Sequence, residues 1–274
     1  MKKIFHSVWR FIERVNDDDV FGLSAQVAYY FLLAIFPMLF AIITLLPFFN
    51  FTNEQFLSFA ERFVPEGAGD TVYQILQEVA TRPSVGLLSF GLIAALWSAS
   101  SGVNASVNAL NRAYHVKKGR FFLIQRVQSM GLTIGVMIAL LTTLLLPVFG
   151  KQIGNLLFEG ILDISGYTFV WNFLRWGVTL FILFLVFTVL YWVGPNIKVK
   201  CRQALPGAIF ASVGWILSSY AFAFYINHFG NFSKVYGSLG GVIILILWFY
   251  ITGLFIILGG ELNAFLAEPL EESE

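Results

Sequence analysis

Apolar runs of about twenty residues, the length an α-helix needs to cross hydrocarbon, alternate along this chain with short polar breaks. The runs predict spans at about 25–49, 85–108, 127–149, 171–193, 204–226 and 237–265. Ahead of the first run, Ile4, Phe5, Val8, Trp9, Ile12 and Val15 share one helical face, with Lys2, Lys3, Arg10 and Arg14 elsewhere. That period predicts an amphipathic helix, either lying in the cytoplasmic membrane interface or packed on the protein's own cytoplasmic side. Between the first two runs, Phe56, Leu57, Ala60, Phe63 and Val64, then Val72, Ile75, Leu76 and Val79, mark two more amphipathic helices within residues 50–83. They are expected to cap the outer mouth of the bundle, because so short a segment cannot bury a core of its own.

The second run carries the most polar face. From Trp97 to His115 it reads WSASSGVNASVNALNRAYH. At 100° per residue, Trp97, Ser101, Asn104, Asn108, Asn111 and Arg112 fall within one arc of roughly 100°. The neighbouring face, with Ser98, Gly102, Ala105, Ser106 and Ala109, is small enough for another helix to approach closely. The fifth run repeats this device with Gly207, Ala211, Gly214, Ser218 and Ala221, and Tyr225 closes it at its outer end. The sixth opens with YGSLGG, which contains Gly240 and Gly241, and ends in GGELNAF. In the first run Gln26, Tyr29 and Tyr30 precede Pro37, which is expected to kink the helix and free a carbonyl at mid-membrane. The third run is almost wholly apolar and reads as a structural helix, with Gly131 and Gly135 for close packing. Trp171, Trp176, Tyr191 and Trp192 frame the fourth as interfacial aromatic belts.

Composition agrees with the pattern. Of 274 residues, 58% are hydrophobic and 12% charged, against about 25% charged in a soluble domain. Cys201 is the only cysteine, which excludes an internal disulfide and a multi-cysteine metal site. The net charge of +1 gives no reason to expect nucleic acid. No cleavable signal peptide is expected; the first span serves as its own anchor. The expected fold is therefore all-α, one polytopic domain over 1–274 with six transmembrane helices. Lys and Arg at positions 2, 3, 10, 14, 112, 117, 118, 120, 126, 198, 200 and 202 fall on one side, and those at 62, 82, 151, 175 and 234 on the other. The positive-inside rule then places both termini in the cytoplasm.

Candidate chemistry sits on few residues. A substrate path would use Gln26, Tyr29, Ser101, Asn104, Asn108, Asn111 and Tyr225, whereas the same amides and hydroxyls also suit bonding between helices, worth about 0.6 kcal/mol each on average. Glu261 is the candidate for ion coupling or a charge pair, with Arg112 and Arg126 as partners on its side of the membrane. A carboxylate at a helix centre costs about 2.5–3.5 kcal/mol, and less at the interface. Arg112 alone also reads as a topology and headgroup anchor. Asp17, Asp18 and Asp19 could bind a metal but match a helix start better; no metal site and no cofactor is expected. His6, His115 and His228 are isolated, and no GxxxxGK[ST] run is present.

The motifs AYYFLLAIFPML, WSASSGVNASVNALNRAY, VGPN followed by ALPGA, YGSLGG and GGELNAF together resemble the YihY/BrkB family of bacterial inner-membrane proteins, over about 15–267. The resemblance implies a six-span inner-membrane protein, sometimes labelled a virulence factor, for which export or lipid translocation has been suggested. The family has also been called ribonuclease BN. Metal-assisted phosphodiester cleavage wants converging carboxylates or histidines, which this pattern lacks, so an enzyme is not expected. The expectation is a secondary transporter or exporter of a small solute or lipid-like substrate, with a non-transporting membrane scaffold or envelope-assembly factor as the alternative. Its partners are membrane lipids, the unidentified substrate and a homo-oligomeric copy of itself.

Overall fold

The computed structural model describes residues 2–45, 84–116, 120–154, 168–229 and 240–267, and the regular structure among them is helical throughout. The helices are α1 (Lys2–Asp17), α2 (Val20–Leu45), α3 (Val85–Ala113), α4 (Phe122–Gly154), α5 (Thr168–Val193), α6 (Cys201–Phe229) and α7 (Gly240–Ala267). Four stretches, Val20–Ala41, Val85–Ala113, Cys201–Ile226 and Gly240–Ala267, are long and apolar enough to cross a membrane. Within the described residues α4 and α5 carry shorter apolar stretches, Phe122–Ile138 and Gly177–Val193. The expected cap at 50–83 lies outside the described residues, as do 155–167, 230–239 and 268–274.

Local chemistry sets the helix ends. Asp19 takes a positive φ of 53°, a conformation a short polar side chain tolerates, and its Oδ1 accepts from the Gly22 N–H at 3.3 Å. This turn starts α2 at Val20, earlier than the apolar run alone indicates. Ser84 caps α3, accepting from the Leu87 N–H at 3.3 Å. His115, with φ 49°, closes α3 in a Schellman turn: the Val116 N–H reaches the Asn111 carbonyl at 2.9 Å and the His115 N–H the Arg112 carbonyl at 2.8 Å.

Helices α2 to α7 form a closed ring. Each touches the next, α7 returns to α2, and α7 also reaches α3. α1 lies against α7 and α2, at the end of the ring where α2, α4 and α6 begin and α3, α5 and α7 finish. A Cβ at Gly102 would strike the Phe31 ring, one at Gly207 the Gly259 carbonyl and the Asn263 amide, and one at Gly214 the Phe255 ring. Small residues at those positions let α3 meet α2, and α6 meet α7, backbone to side chain.

Other glycines behave differently. Nothing lies within 4 Å of a Cβ built at Gly131, Gly135 or Gly241, which corrects the packing role expected for them: a missing Cβ brings helices together only where a neighbour occupies that side. Gly240 is buried as the first residue of α7. α2 continues through Pro37 as one helix. Tyr191 is not part of an aromatic belt. It is fully buried beside Leu190 and Ala208, and its hydroxyl donates to the Ile256 carbonyl at 2.7 Å, because α7 and its glycines pass directly over the end of α5.

Candidate functional site

The ring lines a partly open cavity of about 190 Å³ to which each of its helices contributes: Met38 from α2, Ala99 from α3, Thr133 from α4, Phe187 from α5, Trp215 from α6 and Trp248 from α7. Its wall is almost entirely apolar. On its lining, Thr133 Oγ1 donates to its own helix at the Ser129 carbonyl, 2.6 Å away, and the Trp248 indole N–H donates to the Ser219 hydroxyl, outside the lining, at 3.3 Å. An apolar cavity of about 150 Å³ stays dry and accepts benzene, so this larger space suits a hydrocarbon group better than water or a polar solute.

Below the cavity, at the α1 end, the ring is closed by packing and charge. A Cβ at Gly260 would strike Leu110, and one at Gly259 would strike the Tyr191 hydroxyl. Asn263 fastens α7 to α6: its Oδ1 accepts from the Gly207 N–H at 2.7 Å and its Nδ2 donates to the Ala204 carbonyl at 3.1 Å. Glu261, 0% exposed, meets Arg14 of α1 with Nε to Oε2 at 3.0 Å. The Arg14 guanidinium also donates to the Ala113 carbonyl and lies 4.0 Å from Asp18, whose other oxygen is 3.7 Å from Arg112 Nε. α1 is thereby pinned across the ends of α3 and α7.

Tyr114 points into the same cluster. Its hydroxyl is buried with no hydrogen-bond partner among the described residues. Burial pushes its pKa up to about 12, the Arg14 charge opposing and the Glu261 charge reinforcing the shift. The phenol is therefore neutral at physiological pH.

The polar stripe of α3 faces α4. Gln125 Nε2 donates to Asn104 Oδ1 at 2.9 Å and to Asn108 Oδ1 at 2.6 Å, and the Ser129 hydroxyl donates to Asn104 Oδ1 at 3.3 Å. Arg126 donates to the Ser101 hydroxyl at 3.2 Å and to the Trp97 carbonyl at 2.7 Å. Its guanidinium stacks 4.1 Å above the Trp97 ring centroid. Asn111 Oδ1 accepts from the Asn196 N–H at 2.7 Å. Gln26, Tyr29 and Tyr225 are exposed on the outer surface of the ring. None of these path candidates lines the cavity, because the arc that collects them is turned toward the α4 seam or outward. Arg112 and Arg126 are likewise not placed as expected. Arg14 meets Glu261, while Arg112 reaches Asp18 and the Asp17 carbonyl.

The sequence model of the family described as "Virulence factor BrkB" matches residues 11–274. The chain belongs to the virulence factor BrkB family. Among its relatives, a ribonuclease-like protein, YfkH, of Bacillus subtilis is 46% identical over 245 residues, covering 89% of this chain and 88% of the relative. A UPF0761 membrane protein of Vibrio campbellii is 32% identical over 271 residues, covering 94% and 81%. Another, of Aggregatibacter aphrophilus, is 28% identical over 266 residues, covering 96% and 92%. No solved structure matches this BrkB-family chain. The apolar helices and the membrane-protein relatives together make it a membrane protein.

Four residues of the BrkB-family site escape a reading by helical arcs alone. Arg14 counts among the topology charges, yet it stands one helical turn before the buried Asp18 and next to the buried Val15. Gln125 and Ser129 stand at the start of α4, where the apolar run hides them. Asn263, two residues after Glu261, carries the same signal of a polar side chain on a glycine-lined face.

Proposed function

We propose that this protein is a six-span inner-membrane carrier that moves a lipid-like amphiphile, with both termini cytoplasmic and the α1 end on the cytoplasmic side. The observation that carries the reading is the apolar cavity at the centre of the closed ring. α4 has 33 residues, about 50 Å at 1.5 Å per residue, enough to cross despite its shorter apolar stretch. An apolar wall favours the lipid-like branch of the transporter expectation over the polar-solute branch. Arg14 and Glu261 close the cytoplasmic end of the cavity, so replacement of the arginine by a proton on Glu261 is the step that would couple movement to a gradient.

The test is reconstitution into liposomes with a fluorescent phospholipid whose movement between leaflets is followed by quenching. Wild-type protein is expected to accelerate that movement, and Ala99→Phe, which fills the cavity, to slow it at unchanged melting temperature. If no phospholipid moves under any ion gradient, the carrier reading fails. The bonded seam of α3 and α4 favours a second reading, a membrane scaffold in which the polar stripe joins helices. That reading expects Asn104→Ala and Asn108→Ala to lower stability or partner recovery with no transport to lose. Among the described residues no three His, Cys, Asp or Glu side chains gather as a metal site.

A further inference from the structure

We infer that the seam between α4 and α5 is a lateral entrance through which an acyl chain of an anionic bilayer phospholipid reaches the central cavity, its phosphate held by Arg120. The inference rests on the reading of that cavity as a lipid site. A second apolar recess, about 150 Å³, lies along this seam. It shares Val136, Val186 and Leu190 with the wall of the central cavity. One layer of aliphatic side chains therefore separates the recess from the cavity. The hydroxyls near this layer do not bridge it, since Thr133 and Thr188 donate to carbonyls of their own helices, at Ser129 and Phe184.

The recess faces outward. Leu185 and Val189 on its α5 side are exposed, as are Ile134 and Ile138 on the neighbouring surface of α4. In a membrane protein such a surface meets lipid chains. On the α4 side Gly131 and Gly135, one turn apart, leave open space where side chains would stand, and the result is a trough along the helix axis. Nothing polar in the trough could receive a headgroup, so its occupant is a hydrocarbon chain.

The charge at the α1 end of the same seam selects the lipid. Gln128, about 4.5 Å along the axis from Gly131, donates to the Val193 carbonyl at the end of α5 and to the Gly194 carbonyl just after it. Arg120 donates to Gln128 Oε1 and, at 3.5 Å, to the Pro195 carbonyl. Its guanidinium is exposed, and among the described residues no carboxylate lies within ion-pairing distance of it. A cation held at the mouth of an apolar trough complements a lipid phosphate, and planar guanidinium groups bind phosphate through paired hydrogen bonds.

The experiment uses purified full-length protein in vesicles containing phosphatidylglycerol with a photoactivatable group near the end of one acyl chain, with cross-links mapped by mass spectrometry. Wild-type protein should be labelled both in the trough, at residues 131–136 and 185–190, and on cavity residues beyond it, such as Trp215 and Trp248. Gly135→Leu, whose Cβ meets nothing within 4 Å and whose side chain fills the trough, should lose the cavity labelling at an unchanged melting temperature, and Gly131→Leu provides the same test if the first variant fails to fold. Arg120→Gln should lower labelling by phosphatidylglycerol to the level given by a zwitterionic phosphatidylcholine probe. Cavity labelling that survives both glycine substitutions would overturn the lateral entrance while leaving the lipid-site reading intact. Absence of cavity labelling in wild-type protein would overturn both. Equal labelling by the two lipids, unchanged in Arg120→Gln, would overturn the role of Arg120.

Discussion

The pair between Arg14 and Glu261 joins the amphipathic α1 to the transmembrane α7, and its two ends are not equivalent. Glu261 is 0% exposed, whereas the Arg14 side chain keeps 10% of its surface and belongs to a helix lying on the end of the ring. Removing one partner of a buried pair costs about 3–5 kcal/mol, because the other charge is left uncompensated. Arg14→Met should approach that figure, since Glu261 is walled in by α7 and its neighbours and cannot move to water. It also removes the donor to the Ala113 carbonyl. Glu261→Gln should cost less: Arg14 retains Ala113 and the nearby Asp18, and α1 can shift outward to hydrate it. The double variant should recover part of the loss and give a coupling energy above about 1 kcal/mol, within the range for directly contacting residues. The assay is reversible unfolding of the purified protein in mixed micelles, applied to all four members of the cycle. Additive losses, or a glutamate substitution that costs more than the arginine one, would refute the reasoning.

Further expectations follow from the same contacts. Gly207→Ala forces a methyl onto the Gly259 carbonyl and the Asn263 amide and should destabilise by about 1–3 kcal/mol, whereas Gly131→Ala meets nothing and should stabilise by up to about 1 kcal/mol in the helix interior; thermal melting of the two variants checks the contrast. Gln125→Leu deletes the bonds to Asn104 and Asn108, with an expected loss of about 1 kcal/mol from two interhelical bonds averaging about 0.6 each, measured by the same unfolding assay. For Tyr114 the folded pKa of about 12 lies above the ordinary value of 10.0, so its neutral form is favoured by folding. Its contribution to stability is fully present below pH 10 and is lost as pH rises from there toward 12. An ultraviolet titration compared with Tyr114→Phe should show the missing phenol ionising above the ordinary value, and ionisation at the ordinary value in folded protein would contradict it.

What the sequence determined by itself was the helical class, the approximate extent of the runs and the small faces that pack. Apolar length and glycine spacing are local properties, and Gly102, Gly207 and Gly214 fall where such a reading expects them. α1 was legible as a helix. Of its one apolar face, Phe5, Val8, Trp9 and Ile12 are exposed, while Val15 near the end of the helix is buried. The partners of the polar residues were not legible. A helical arc says which side chains share a face, but not which helix that face meets; only the ring order, with α4 beside α3 and α7 across from it, assigns Asn104 to Gln125 and Glu261 to Arg14. The central cavity was equally hidden. It is made of mostly apolar residues from six distant segments, each of which looks like ordinary core until the helices close around the space they leave.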